Sequence, residues 1–218
     1  MTAAADPIKR TTWRTAAAAV LLFGPLFVVR GIGAFDFWWW MSADIGLLLC
    51  IAAFLDPEWR RALTRDLKTD PLKKAMLGIG SALLLYLFFV LANSIARRLL
   101  PFAGSGIDSV YAFKQGASAL RIALLMLLVI GPGEELFWRG FLQRRFQHAY
   151  GPDRGFLLAT AVYTLVHVGS GNLMLVLAAG VCGAYWGLLY RMTGSLLINV
   201  ISHTLWDLFI FLLFPVST

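Results

Sequence analysis

Charge is scarce in this chain, and that scarcity decides its class. Asp, Glu, Lys and Arg supply only 14% of the 218 residues, while 59% are hydrophobic. Soluble domains carry about a quarter charged residues. A soluble core of this length cannot hide so much apolar surface. The apolar residues form long runs and not the short alternating strands of a barrel, so an all-α, polytopic transmembrane bundle is predicted. Cysteine is nearly missing. Cys50 and Cys182 stand alone in apolar runs, which excludes a disulfide framework or zinc knuckle, and both read as small buried residues. There is no HExxH and no glycine-rich phosphate loop. The net charge of +7 sits between apolar runs without interleaved aromatics. It therefore reads as a topology signal facing a lipid bilayer, with no nucleic-acid partner.

What is present is a succession of about seven spans, each near the ~20 residues a bilayer requires. They are predicted at Thr15–Arg30, Phe37–Leu55, Ala75–Ile95, Ser118–Gly133, Phe156–Val168, Asn172–Tyr190 and Ser195–Phe214, the fifth being short. Lys9, Arg10 and Arg14 precede the first run as they would in a signal peptide. No small-residue cleavage pattern clearly ends that run, so it reads as a retained anchor. With the N-terminus inside, the inner segments hold 14 of the 19 basic residues, or 13 once Arg139 is assigned to the site. Arg30, Arg97, Arg98, Lys114 and Arg121 fall outside. This bias predicts a cytoplasmic N-terminus in an integral membrane protein, of a bacterial inner membrane. Residues 1–117 form N-terminal helices with a polar cytosolic stretch, Asp56–Lys74, and residues 118–218 carry the chemistry. Trp38, Trp39 and Trp40 open a span and read as an interfacial belt.

Ionisable groups inside spans cost about 2.5–3.5 kcal/mol each and call for a function. Here they are Asp44, Glu134, Glu135, Arg139, His167, His203 and Asp207, with Asp44 read as structural or interfacial. Glu134 lies 17 residues before the turn at Gly151 and His167 lies 16 after it. At 1.5 Å per residue, both sit roughly 25 Å from one hairpin tip. The last span places His203 and Asp207 four residues apart on one face, and Glu135 and Arg139 share the same spacing. Glu134 is turned about 100° from Glu135. One carboxylate can then face a reaction centre while the other holds Arg139. Buried carboxylates and imidazoles at a common depth suit water activation and hydrolysis of an amide. The alternative is a proton-coupled transporter, since such groups also make proton relays. A third reading is a non-catalytic scaffold or self-immunity protein. His148, near the hairpin tip, reads as exposed.

Glu134-Glu135-x-x-x-Arg139-Gly140, then Tyr163-x-x-x-His167, then His203-x-x-x-Asp207 resembles the CAAX-protease and bacteriocin-processing family of intramembrane endopeptidases, over roughly Leu124–Phe214. The resemblance implies a conical intramembrane cavity opening toward the cytoplasmic side, and a protein or peptide substrate at the membrane. Carried over, Glu134 is the base that activates water and His167 positions that water. His203 and Asp207 line the oxyanion site, with Glu135, Arg139 and Tyr163 in support. The family pattern usually begins its second motif with Phe where this chain has Tyr163, and often ends the last with Asn where it has Asp207. An ionised Asp cannot donate to an oxyanion. The resemblance therefore also admits a divalent metal such as zinc, on His167, His203 and Asp207.

Overall fold

The computed structural model describes residues 7–216. It is an all-helical bundle whose only strand pairing among the described residues is a short hairpin, Gly31–Ile32 against Phe35–Asp36. The helices are α1 (Pro7–Val29), α2 (Phe37–Leu55), α3 (Pro57–Lys68), α4 (Pro71–Leu99) and α5 (Ala103–Tyr111). They are followed by α6 (Ala119–Tyr150), α7 (Pro152–Val166), α8 (Leu173–Thr193) and α9 (Leu196–Leu213).

Local chemistry sets the boundaries. Asp36 caps α2 by accepting from the Trp38 and Trp39 N–H groups and pairs with Arg121 at the start of α6. Asp56 caps α3, with Pro57 as its first residue, and reaches Arg144 on α6. Such side chains take up N–H groups that a helix leaves without partners. Gly151 separates α6 from α7 at φ 86°, a left-handed conformation cheap only for glycine. Asn172 caps α8, and Ser195 caps α9. Asp66 of α3 adds a second cap to α9, accepting from the Leu197 N–H at 2.8 Å and the Ser195 hydroxyl at 3.2 Å. The polar stretch Asp56–Lys74 is thus largely a surface helix, and it holds the start of the helix that carries His203.

Five helices are long and apolar enough to cross a membrane, namely α1, α2, α4, α8 and α9. A sixth span arises if α6 is taken with the Ala103–Lys114 segment, bent 91° from it. The remaining predicted span, Phe156–Val168, falls on α7, whose 15 residues reach only about 22 Å. The sequence also predicts a kink or helix start at Pro132-Gly133. Instead α6 runs unbroken through it, with π-helical stretches at Met126–Ile130 and Leu136–Gln143 on either side. Wider π turns absorb the backbone disturbance that a proline introduces. Tight packing explains the glycines there. A Cβ on Gly131 would come within 2.3 Å of the Thr204 hydroxyl on α9, and one on Gly133 within 2.3 Å of Ile45 on α2. The helix carrying Glu134 is therefore clamped between α2 and α9.

The tryptophan run divides its duties. Trp39 is exposed, as a belt residue would be, but Trp38 is buried and donates its indole N–H to the Phe113 carbonyl at 3.0 Å. Of the cysteines, Cys182 is buried as predicted, whereas Cys50 is exposed on α2. An apolar residue in a span meets no penalty for facing lipid, so hydropathy alone cannot assign it to the core.

Candidate active site

Glu135 is the hub. Its side chain is fully buried and accepts from three side chains: Arg139 Nη1 at 2.7 Å, His203 Nδ1 at 2.7 Å and Asn199 Nδ2 at 3.0 Å. A buried carboxylate persists only when its lone pairs are met by charge and hydrogen bonds. Arg139 is 2% exposed and lies beside the rings of Tyr163, at 4.8 Å, and Trp186, at 5.6 Å. Its Nη2 also reaches the Gly183 carbonyl at 3.4 Å. The guanidinium is thus met by a carboxylate, aromatic faces and a carbonyl, all favourable to a desolvated cation.

Glu134 has the opposite surroundings. It is 4% exposed, and its Oε2 has no hydrogen-bond partner in the protein. Its carboxyl lies beside the Tyr163 hydroxyl and lines a cavity of about 350 Å³. The turn of about 100° between successive helical residues sends Glu134 into open space and Glu135 into the packed network. His167, His203, Tyr163 and Asp207 line the same cavity. Their neighbours there are almost all apolar, including Phe27, Trp38, Phe89, Met126 and Ile210. An unpaired carboxyl aimed into such a space is placed to accept a proton from something that enters it.

The imidazoles are oriented from behind. His167 ends α7, and its Nδ1–H donates to the Tyr163 carbonyl at 2.8 Å, which leaves Nε2 as the free nitrogen. The Phe27 ring, 4.7 Å away, backs it. His203 stacks on Trp186 at 3.6 Å between ring centres. With Nδ1 committed to Glu135, its Nε2 faces Asp207, 3.6 Å away. The structure therefore brings Glu134, Glu135, Arg139, Tyr163, His167, His203 and Asp207 into one site. Asp44 is buried elsewhere on α2, with Oδ2 lacking a partner, and does not line the cavity. His148 is exposed near the hairpin tip.

Two residues belong to the site that the motifs did not single out. Asn199 bridges Glu135 and the Trp186 carbonyl, at 3.0 and 2.8 Å. It lies four residues before His203, on the same face of α9, and that spacing was its one available signal. Trp186 supplies the stacking face and donates its indole N–H to Ser202 Oγ at 3.1 Å. Ser202 also bonds to Ser81 on α4 at 3.0 Å, so it is a structural link.

For the metal option, His167, His203 and Asp207 are the named donors; among the described residues no three His, Cys, Asp or Glu side chains are disposed to hold one ion. Each imidazole commits Nδ1, His167 to a carbonyl and His203 to Glu135, and keeps Nε2 uncommitted.

On α6 the cavity is lined by Met126, Ile130 and Glu134 and by nothing beyond Glu134, which stands at its floor.

Among known proteins, no curated protein and no solved structure gives a significant match to the chain. Residues 116–209 match the family described as type II CAAX prenyl endopeptidase Rce1-like. That segment, rather less than half of the chain, spans the motifs from Glu134 to Asp207, and over it the chain is similar to that family of endopeptidases.

Proposed function

We propose that the protein hydrolyses a peptide bond in a membrane-associated or C-terminal segment of a protein substrate, with water activated by Glu134. The observation that carries this reading is the contrast within one acidic pair. Glu135 is saturated by Arg139, His203 and Asn199, while Glu134 Oε2 is buried, unpartnered and beside a cavity.

In the proposed step, Glu134 takes a proton from water as the water oxygen bonds to the scissile carbonyl carbon. His167 Nε2 accepts a hydrogen bond from that water and fixes its line of attack. The carbonyl electron pair moves onto oxygen, and the resulting oxyanion is met by His203 carrying a proton on Nε2. As collapse reforms the carbonyl and breaks the C–N bond, Glu134 delivers its proton to the departing nitrogen, leaving a carboxylic acid and an amine; passage of the acid's proton to the amine gives carboxylate and ammonium. Asp207, ionised and 3.6 Å from His203 Nε2, serves by stabilising the charge of the imidazolium, which is the use left to a carboxylate where an amide could donate directly. Glu135 and Arg139 hold His203 from behind.

The test compares membrane proteomes of cells producing the parent protein or Glu134→Gln. A precursor that persists only with the variant supports the proposal. Purified Glu134→Ala protein that still cleaves that precursor at the parental rate would sink it.

A further inference from the structure

The cavity is deepest at Glu134 and His203, which are buried, and it opens past Asn93 of α4 and Tyr111 of α5, which are half-buried. On the other side of Glu134, toward Gly151, the bundle is closed by the buried Phe137, Phe141 and Leu142. The wall at the open end is apolar, with Ala92, Ala96, Ile107, Val110 and Met174 among its residues, except for Asn93 and Tyr111. Polar groups set in such a wall are costly unless they meet a partner.

Their partner is the chain's own backbone. The helix α9 ends at Leu213, and Pro215 cannot continue it. The segment that follows, Phe214–Val216, lies at the open end of the cavity. The Val216 N–H donates to the Tyr111 hydroxyl oxygen at 3.0 Å, and Asn93 Nδ2 donates to the Val216 carbonyl at 3.1 Å. One residue is thus held by both of its backbone groups, as a neighbouring strand would hold it. Such bonds read the main chain and leave the side chain to the pocket it enters. The side chain of Val216 lines the cavity.

Both polar groups are set from behind. Arg97 Nε donates to Asn93 Oδ1 at 3.0 Å, while its Nη2 pairs with Asp108 of α5 at 3.2 Å, which turns the amide nitrogen toward Val216. The Tyr111 O–H donates to the Ile210 carbonyl at 2.7 Å, which leaves the hydroxyl oxygen to accept from Val216. The occupant, in contrast, is lightly held. Phe214 is 57% exposed, Pro215 is exposed and Val216 is only half-buried. Its one further bond is from the Tyr86 O–H to the Phe214 carbonyl, at 3.1 Å. A braced site with a weakly seated occupant is suited to exchange.

We propose that Asn93 and Tyr111 form a subsite that takes one residue of an extended peptide by its backbone N–H and C=O, and that Val216 occupies it as a competitor within the same chain. An incoming segment enters the cavity as Phe214–Val216 gives way. That the incoming peptide is a substrate rests on the peptidase reading above; that the subsite holds a peptide does not.

The test uses the full chain carrying Glu134→Gln, in detergent. The probe is a fluorescein-labelled, amide-capped peptide of residues 213–218, and its binding is followed by fluorescence anisotropy. Val216→Pro removes the N–H that Tyr111 accepts, and Val216→Asp sets a charge against the apolar wall. Either change frees the subsite, and each guards against misfolding of the other. Both variants should bind the peptide about tenfold more tightly than the chain with Val216, the worth of about one hydrogen bond taken from the competitor. Adding Asn93→Ala should cancel the gain. A peptide N-methylated at its valine, which lacks the same N–H, should show no gain. Equal binding to the chain with Val216 and to both variants, no binding to any of them, or a gain that survives Asn93→Ala or N-methylation overturns the inference. No turnover is read, so a failed peptidase reading and a failed subsite give different results.

Discussion

Replacing Arg139 by Gln removes the one permanent cation in contact with Glu135. The two side chains are 2% and 0% exposed and meet at 2.7 Å. Removing one member of a buried ion pair costs about 3–5 kcal/mol, because the remaining charge stays desolvated. Glu135 keeps its bonds from His203 and Asn199, which alone would place the loss at the lower end. Losing the contacts to the Tyr163 and Trp186 rings adds back about 0.5–1 kcal/mol each. The balance is about 4 kcal/mol. At roughly 2–4 °C per kcal/mol for a chain of this size, the melting temperature should fall by about 8–16 °C. Thermal unfolding of the purified protein in detergent, followed by the fluorescence of its eight tryptophans, measures this. The double variant Glu135→Gln/Arg139→Gln leaves no stranded charge and should recover more than half of the loss, while remaining inactive because His203 has lost its anchor. Two results would refute the reasoning: a single variant that melts with the parent, or a double variant no more stable than the single.

Other perturbations separate chemistry from packing. Glu134→Gln should lower turnover by about 10²–10⁴-fold, the usual worth of a general base, without lowering the melting temperature. Asp207→Asn should retain activity within about tenfold, since an amide can donate to the oxyanion itself, while Asp207→Leu should abolish it; equal activity in the two variants would remove Asp207 from the site. Gly131→Ala forces a methyl group within 2.3 Å of Thr204. It should cost about 1–3 kcal/mol in stability and reduce turnover by shifting Glu134 relative to His203. Asp66 supplies the pH test. Burial pushes its carboxyl up, but Lys74, the Leu197 N–H and the Ser195 hydroxyl together hold it below the usual carboxylate range. A depressed folded-state value stabilises above the unfolded value and is lost as pH falls through it. The parent should therefore lose stability below about pH 4, and Asp66→Asn should be less stable at neutral pH and flatter across that acid range, as measured by melting temperature against pH.

The class and the reactive set were legible because both rest on composition and spacing. Long apolar runs need a bilayer, and Glu134, His167 and His203 stand out against them as costs that need a reason. The hairpin arithmetic worked because Gly151, with its left-handed backbone, fixes the turn between α6 and α7. Other features depended on three-dimensional relations that no local pattern carries. Pro132-Gly133 reads as a break, and only the π-helical stretches around it show how the chain continues. Trp38 and Trp39 are equivalent in sequence, yet Phe113, 75 residues away from Trp38, draws only Trp38 inward. Asn199 is one uncharged amide in an apolar helix, and its importance appears only when Glu135 approaches from α6.

The closed floor of the cavity has a consequence for the supply of reactant. In the proposed reaction each peptide bond hydrolysed consumes a water molecule, and the half of the bundle from Glu134 toward Gly151 is filled by Phe137, Phe141 and Leu142. Water and the substrate segment must share one doorway, and a segment seated in it stoppers the chamber. The nucleophile is therefore aboard before the substrate docks, and each further cut waits for the chamber to open and refill.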